Sequence, residues 1–248
     1  MISSDTSDSP RLVLNCAEER IQVVLGSACK VMFSEEVLCP GQSIRHLPTA
    51  MQRALGVGGV RPRDLAGIAC VRGPGSFTGL RIAHAAMHGL SRPHAIPMAG
   101  LQYLEILAAQ AAFVANGREL WVLTYARKGQ VYIQGFQAGL PLGPVRPLPV
   151  AEAHELLQMR PGSILLLGSG LRKNPELLGL PDANALPEIL DTPLPAALLR
   201  AACSATYSSL APQPLYLRKS DAEDNLEAIA TSRGILADEA RRHIPDFE

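Results

Sequence analysis

Hydrophobic period changes three times along the first ninety residues. Residues 11–16 (RLVLNC), 20–27 (RIQVVLGS) and 30–38 (KVMFSEEVL) are short runs rich in apolar and β-branched residues, parted by tight polar breaks. That is the pattern of an antiparallel meander. Residues 43–56 (SIRHLPTAMQRALG) then place apolar positions near helical spacing and stop at glycines. Residues 65–72 (LAGIACVR) are apolar enough for a buried strand, and residues 78–90 (TGLRIAHAAMHGL) return to the helical period. The predicted order is βββαβα.

The order recurs. A strand over 119–125 (ELWVLTY), a turn at ARKGQ, a strand over 131–139 (VYIQGFQAG) and a proline-broken strand over 143–150 (GPVRPLPV) precede a helix at 151–159 (AEAHELLQM). A strand at 163–170 (SILLLGSG) and a helix at 193–209 (PLPAALLRAACSATYSS) follow. Residues 101–117 (LQYLEILAAQAAFVANG) read as a connecting helix ended by Asn116-Gly117. Two copies without clear residue identity predict an α/β chain of two ribonuclease-H-like lobes, 11–107 and 108–217. This two-lobed arrangement is of the actin-like and sugar-kinase type, an analogy that fixes no function. Residues 1–10 read as a loose tail. Residues 218–248 read as a charged helical tail, with Leu226, Ile229, Ile235 and Leu236 as its apolar positions and Gly234 interrupting it.

Composition removes several classes of function. Lysine plus arginine and aspartate plus glutamate number 23 each, so no net field draws the chain to nucleic acid or an anionic membrane. The five cysteines (Cys16, Cys29, Cys39, Cys70, Cys203) are scattered and form no C-x-x-C pair. They suggest neither a disulfide framework nor a zinc site, and fit a reducing cytoplasm. The start, MISSDTSDSP, lacks the basic and apolar regions of a secretory signal, and no apolar run reaches membrane-spanning length.

The densest chemistry lies in Arg72-Gly73-Pro74-Gly75-Ser76-Phe77-Thr78-Gly79. Proline fixes one backbone angle there, the glycines permit close backbone approach, and Ser76 or Thr78 can cap the next helix. Amides at that helix start, with Arg72 and Arg81, would suit an anion. Neither the P-loop spacing nor G-x-G-x-x-G is present, so spacing alone leaves a structural turn and a phosphate site both open. His84 and His88 stand four apart, a zinc-ligand spacing, but HAAMH has no glutamate and no evident third ligand. Partner contact, or burial with local hydrogen bonds, accounts for them better. No G-x-S-x-G elbow occurs, and nothing in the spacing of serine, histidine and aspartate suggests a triad.

The string RGPGSFTGLRIA closely resembles the signature of TsaB-type (YeaZ) proteins, accessory subunits in bacterial synthesis of threonylcarbamoyladenosine, a modified base beside the tRNA anticodon. QSIRHLPTAMQRAL, ARKGQVY, LLLGSGL and PLYLR resemble further stretches of that family, in the same order. The resemblance implies a non-catalytic subunit. It would bind and activate the catalytic threonylcarbamoyl transferase (TsaD-type) that makes t(6)A in ANN-decoding tRNAs. A P-loop ATPase (TsaE-type) would join the complex, and a homodimer through the same helices would compete with it. The turn from Arg72 to Gly79 would then set the start and angle of a partner-facing helix. Partner contacts are expected at His46, Met51, Leu80, His84, Met87 and His88, on helix faces that include Leu47, Leu55 and Ala83. For Leu55, Leu80 and Met87, ordinary packing on the sheet is the competing account. The resemblance implies no cofactor held by this chain alone, with ATP or ADP placed at most at the junction between subunits, and tRNA bound only through the complex.

Actin-like ATPases place an acidic residue at the first hairpin of each lobe to organise magnesium and phosphate. Here those places read Asn15 and Tyr125, both neutral, and Tyr125 departs from the aspartate usual in the TsaB-type family itself. Glu18 and Glu19 are expected at an exposed hairpin tip. The stretch matching the catalytic relative's metal histidines, MAGLQYLE, contains none. A zinc protease, as an old glycoprotease label for relatives of this fold would have it, lacks its ligands. The alternative reading is a self-sufficient small-molecule kinase or ATPase, with Gly73 to Gly79 or Gly168-Ser169-Gly170 holding phosphates.

Overall fold

A computed structural model describes residues 9–28, 30–160 and 162–218. Cys29, the first eight residues of the N-terminal tail, and the C-terminal tail from residue 219 lie outside the described residues. The chain to Leu215 forms one compact unit.

The meander forms as expected: β1 (Arg11–Asn15), β2 (Arg20–Ser27) and β3 (Lys30–Leu38) pair antiparallel. Helix α1 (Ser43–Gly58), β4 (Gly67–Gly73) and α2 (Phe77–Ser91) complete the predicted order. A further strand, β5 (Met98–Gln102), then pairs parallel to β4 as the edge of a five-stranded sheet ordered β3-β2-β1-β4-β5. Helix α3 (Tyr103–Ala115) therefore starts two residues later than its apolar run suggests.

The second lobe repeats the plan. It comprises β6 (Leu120–Arg127), β7 (Gln130–Gln137), a third strand split into β8 (Leu140–Pro141) and β9 (Arg146–Pro149), then α4 (Val150–Gln158), β10 (Ile164–Leu167) and α5 (Ser169–Lys173). Both pieces of the split strand pair with β7, because proline and glycine between them cannot continue the ladder. A short strand, β11 (Ala183–Ala185), edges this sheet, and α6 (Pro195–Ser204) closes the described chain. The predicted βββαβα order is thus present in the first lobe; in the second, the strand expected over 163–170 ends at Leu167 and gives way to the short α5, the helix expected over 193–209 forms as α6, and each lobe gains a fifth strand position.

Strand alternation distributes the core. In β1, Leu12 and Leu14 face α1 and α2, while Val13 faces the other lobe; in β6, Trp121 and Leu123 face outward while Leu120 and Val122 face inward. Sheets buried on both faces read as continuous apolar runs, which is why these strands were legible. Helices α3 and α6 lie in the inward core: α3 touches β4 and β5 of the first sheet and β6 of the second, and α6, though it follows the second sheet, touches β1, β2, β3 and β5 of the first. Helix α3 buries Tyr103, Leu104, Ile106, Leu107, Ala108, Ala111 and Ala115.

Candidate functional site

Strand β4 delivers the chain to the glycine turn, and the tip of the β1–β2 hairpin receives it. Gly73 leaves the strand at φ +123°, and the Gly73–Pro74 peptide is cis. The Ser76 N–H donates to Ala17 O at 2.6 Å, and Ser76 Oγ accepts the Gly79 N–H at 3.2 Å, capping α2. A Cβ at Gly75 would lie 2.2 Å from Ala17 O, and one at Gly79 2.0 Å from Cys16 O. Protein backbone fills the space these glycines open. Of the two arginines beside the turn, Arg81 stacks over the Phe77 ring at 3.9 Å. Arg72 lies against Gly100, its Nε buried without a hydrogen bond among the described residues.

The helix launched by this turn keeps its larger side chains for the sheet. Leu80 and Met87 are wholly buried, His84 is 6% exposed and, on α1, Met51 is 8% exposed. These four of the six residues expected at a partner are core in this chain, because a helix over a sheet must first cover it. Leu47 and Ala83 are buried with them, while His46, Leu55 and His88 are half-buried. What α2 shows to solvent is Thr78, Arg81, Ala85 and Gly89, flanked by half-buried Ile82 and Ala86. Beside it, α1 exposes Ile44 and Val57.

His84 is satisfied locally. Its Nδ1 lies 2.8 Å from Leu80 O and its Nε2 3.5 Å from the Cys70 Sγ, so Nδ1–H donates to the carbonyl and the thiol donates to Nε2. Burial is the main cause that pushes this imidazole below its ordinary 6.5 and the Cys70 thiol upward. Cys16, in the same core, is pushed up to about 12. Among the described residues, no group of three or more His, Cys, Asp or Glu could hold a metal ion.

The hairpin tip that receives the turn also reaches the second lobe. Glu18, expected on an exposed tip, turns inward: Tyr103 O–H donates to its Oε2 at 2.8 Å and Ser169 O–H to its Oε1. Burial raises its carboxyl above the ordinary 4.5, against the pull of the two hydroxyls and Arg20. Glu19 stays exposed and meets Lys173 at 3.4 Å. Ser169 belongs to the second glycine turn, which packs as the first does: a Cβ at Gly168 would stand 2.2 Å from Leu123 O. Buried Asp191 accepts the Gly168 N–H at 2.7 Å and pairs with Arg172 at 2.7 Å.

At the hairpin positions where an ATPase carries acids, Asn15 is buried, donating to Gln22 and accepting the Ala17 N–H. Alternation along β6 places Thr124, not Tyr125, on the corresponding inward face. Thr124 is 1% exposed, and Tyr125 lies on the outer side with the Lys173 Nζ 5.7 Å from its ring. Both inward positions are uncharged. Sequence reading placed Glu18 at an exposed tip and missed Tyr103, Thr124 and Asp191 in this junction; the register of β6 relative to the outward Trp121 and Leu123 was the one available signal, and it marks Thr124 alone. A cavity of about 410 Å³ opens between α3 and α6, lined by small and apolar residues with Glu105 and Arg200, and includes neither glycine turn.

Over residues 39–139 the chain matches the family described as TsaD, tRNA N6-adenosine threonylcarbamoyltransferase. It is 30% identical over 218 residues to the Escherichia coli (strain K12) tRNA threonylcarbamoyladenosine biosynthesis protein TsaB, covering 84% of this chain and 94% of that protein. The chain belongs to the TsaB family. The Bacillus subtilis (strain 168) protein of the same name is 33% identical over 134 residues, covering 51% of this chain and 56% of that protein. Among solved structures, YeaZ from Pseudomonas aeruginosa superposes with a TM-score of 0.65 at 22% identity, covering 97% of this chain and all of that one. A second Pseudomonas aeruginosa protein, described as similar to peptidase YEAZ, gives 0.67 at 24% identity, covering 85% and 100%. These two likenesses establish the shared two-lobed fold.

Proposed function

We propose that this chain is a non-catalytic subunit of tRNA threonylcarbamoyladenosine synthesis, which binds and activates a TsaD-type threonylcarbamoyl transferase modifying ANN-decoding tRNAs. Its relatives' names supply the pathway. The binding role rests on one observation: the helix launched by the family-like turn spends its large apolar side chains on its own sheet and turns the short Thr78, Ala85 and Gly89, with Arg81, to solvent. Small residues allow a second helix to approach closely, the geometry of ridge-into-groove packing. The partner face is therefore redrawn around Arg81, Ala85 and His88 of α2 and Ile44 of α1, in place of Met51, Leu80, His84 and Met87. A TsaE-type ATPase joins the assembly, a homodimer through the same face competes with it, and tRNA is met through the complex. The chain holds no cofactor alone; any ATP or ADP belongs to the junction between subunits. The reading of a self-sufficient kinase gains no support from the hairpins, where Asn15 and Thr124 are neutral and Glu18 has both oxygens engaged.

The test is light scattering after size exclusion, with this chain mixed with its own organism's TsaD-type transferase, followed by a tRNA modification assay. A heterodimer whose activity depends on this chain is expected. Ala85→Glu, which adds a charge to the proposed face and touches no core residue, should weaken the complex at least about a hundredfold while leaving the melting temperature unchanged. An unaltered complex with Ala85→Glu would overturn the face; no complex with the wild-type chain would overturn the role.

A further inference from the structure

We propose that Glu18 is the chain's own occupant of the inter-lobe junction, tying Tyr103 and Ser169 to the hairpin tip and thereby fixing the seat of helix α2. The functional consequence rests on the partner role of α2 proposed above; the mechanical claim does not.

Hydrogen-bond directions establish the tie. Ser169 Oγ accepts the Tyr125 N–H at 3.0 Å, which leaves its own proton for Glu18 Oε1. Tyr103, whose hydroxyl burial keeps protonated, donates to Oε2. Both carboxyl oxygens are thus engaged, one by a hydroxyl of each lobe. Ser169 itself is held in place, since the adjoining Gly168 N–H is bound by buried Asp191, which Arg172 also grips.

The other side of the same tip carries α2. Ala17, next to Glu18, accepts the Ser76 N–H, and Gly75 and Gly79 press on the carbonyls of Ala17 and Cys16 with no room for a methyl group. Contacts this close leave no slack, so displacement of the tip displaces the helix start. One residue thereby links a second-lobe turn to a first-lobe helix. An actin-like enzyme fills its junction with a nucleotide; here a carboxylate from the first hairpin bridges the gap and the two hairpin acids are gone. The second lobe, on this account, serves the partner-facing helix as a brace.

Hydrogen–deuterium exchange on the full chain tests this directly, with Glu18→Ala and Ser169→Ala compared with wild type. Amides of residues 76–80 are expected to exchange about tenfold faster in both variants, and α4 amides unchanged. The decisive case is Ser169→Ala, which removes one hydroxyl from the opposite lobe and folds even if Glu18→Ala does not. Affinity for the TsaD-type transferase should fall about tenfold in step. Unchanged exchange at 76–80 in Ser169→Ala would overturn the brace. Because exchange is read on the free chain, a wild type that never bound the transferase would sink the partner role and leave this test standing.

Discussion

His84 shows how one residue type supports rival readings until its surroundings are known. Two histidines four apart on a helix suit a metal or a partner equally, yet His84 points down at Cys70 while His88 stays half out. Burial, with His88 and Arg72 nearby, depresses its pKa, partly offset by its bond to Leu80. The unfolded chain therefore takes up a proton near 6.5 where the folded chain does not, so stability is full above that pH and is lost as pH falls toward the depressed value. The expected outcome is a melting temperature that drops as pH falls below about 6.5. The drop should be flatter in His84→Asn, which keeps a donor but cannot titrate; identical pH profiles for the two proteins would show that folding does not depress the His84 pKa. Glu18 escapes a sequence reading for a different reason. Its partners lie 85 and 151 residues away, and no local pattern around AEE announces them.

Elements with a strong period were legible, and those shaped by tertiary contact were not. Strands β2 and β3 match their expected bounds because each is a run rich in apolar and β-branched residues closed by polar turns. Strand β5, MAGLQ, has neither alternation nor β-branching and exists because β4 offers it a parallel edge. Strand β11, ANA, is shorter still. Helix α2 is legible as a helix, but its two faces are exchanged: the large apolar residues that suggest an interface cover the sheet. That correction has a measurable form at Gly89, which sits in the helix with open space where a methyl group would go, nothing lying within 4 Å, and no unusual φ. Gly89→Ala should stabilise the free chain by about 0.5–1 kcal/mol, through helix propensity alone. If α2 is the partner face, the same methyl group should weaken the complex. Stabilisation of the free chain with undiminished binding would move the interface off Gly89.

At the scale of the molecule, the exchange of helices between sheets governs how the chain unfolds. Helix α3 follows the first sheet yet packs on β6, and α6 follows the second yet packs on β1, β2 and β3. Val13, Val24 and Val71 from one sheet and Leu120, Val122 and Leu167 from the other thus share a single core with both helices. Opening one lobe alone would strip Leu198 and Leu199 of α6 from the first sheet, each worth about 1.5–3 kcal/mol of burial. Two such side chains, about 3–6 kcal/mol together, reach the low end of the stability of a domain, about 5–15 kcal/mol, before the α3 contacts are added. Differential scanning calorimetry should therefore show one transition, with van't Hoff and calorimetric enthalpies equal within error, rather than the two that a bilobed outline suggests. Two resolved transitions would mean that the lobes hold independently, and that a brace at Glu18 had little to couple.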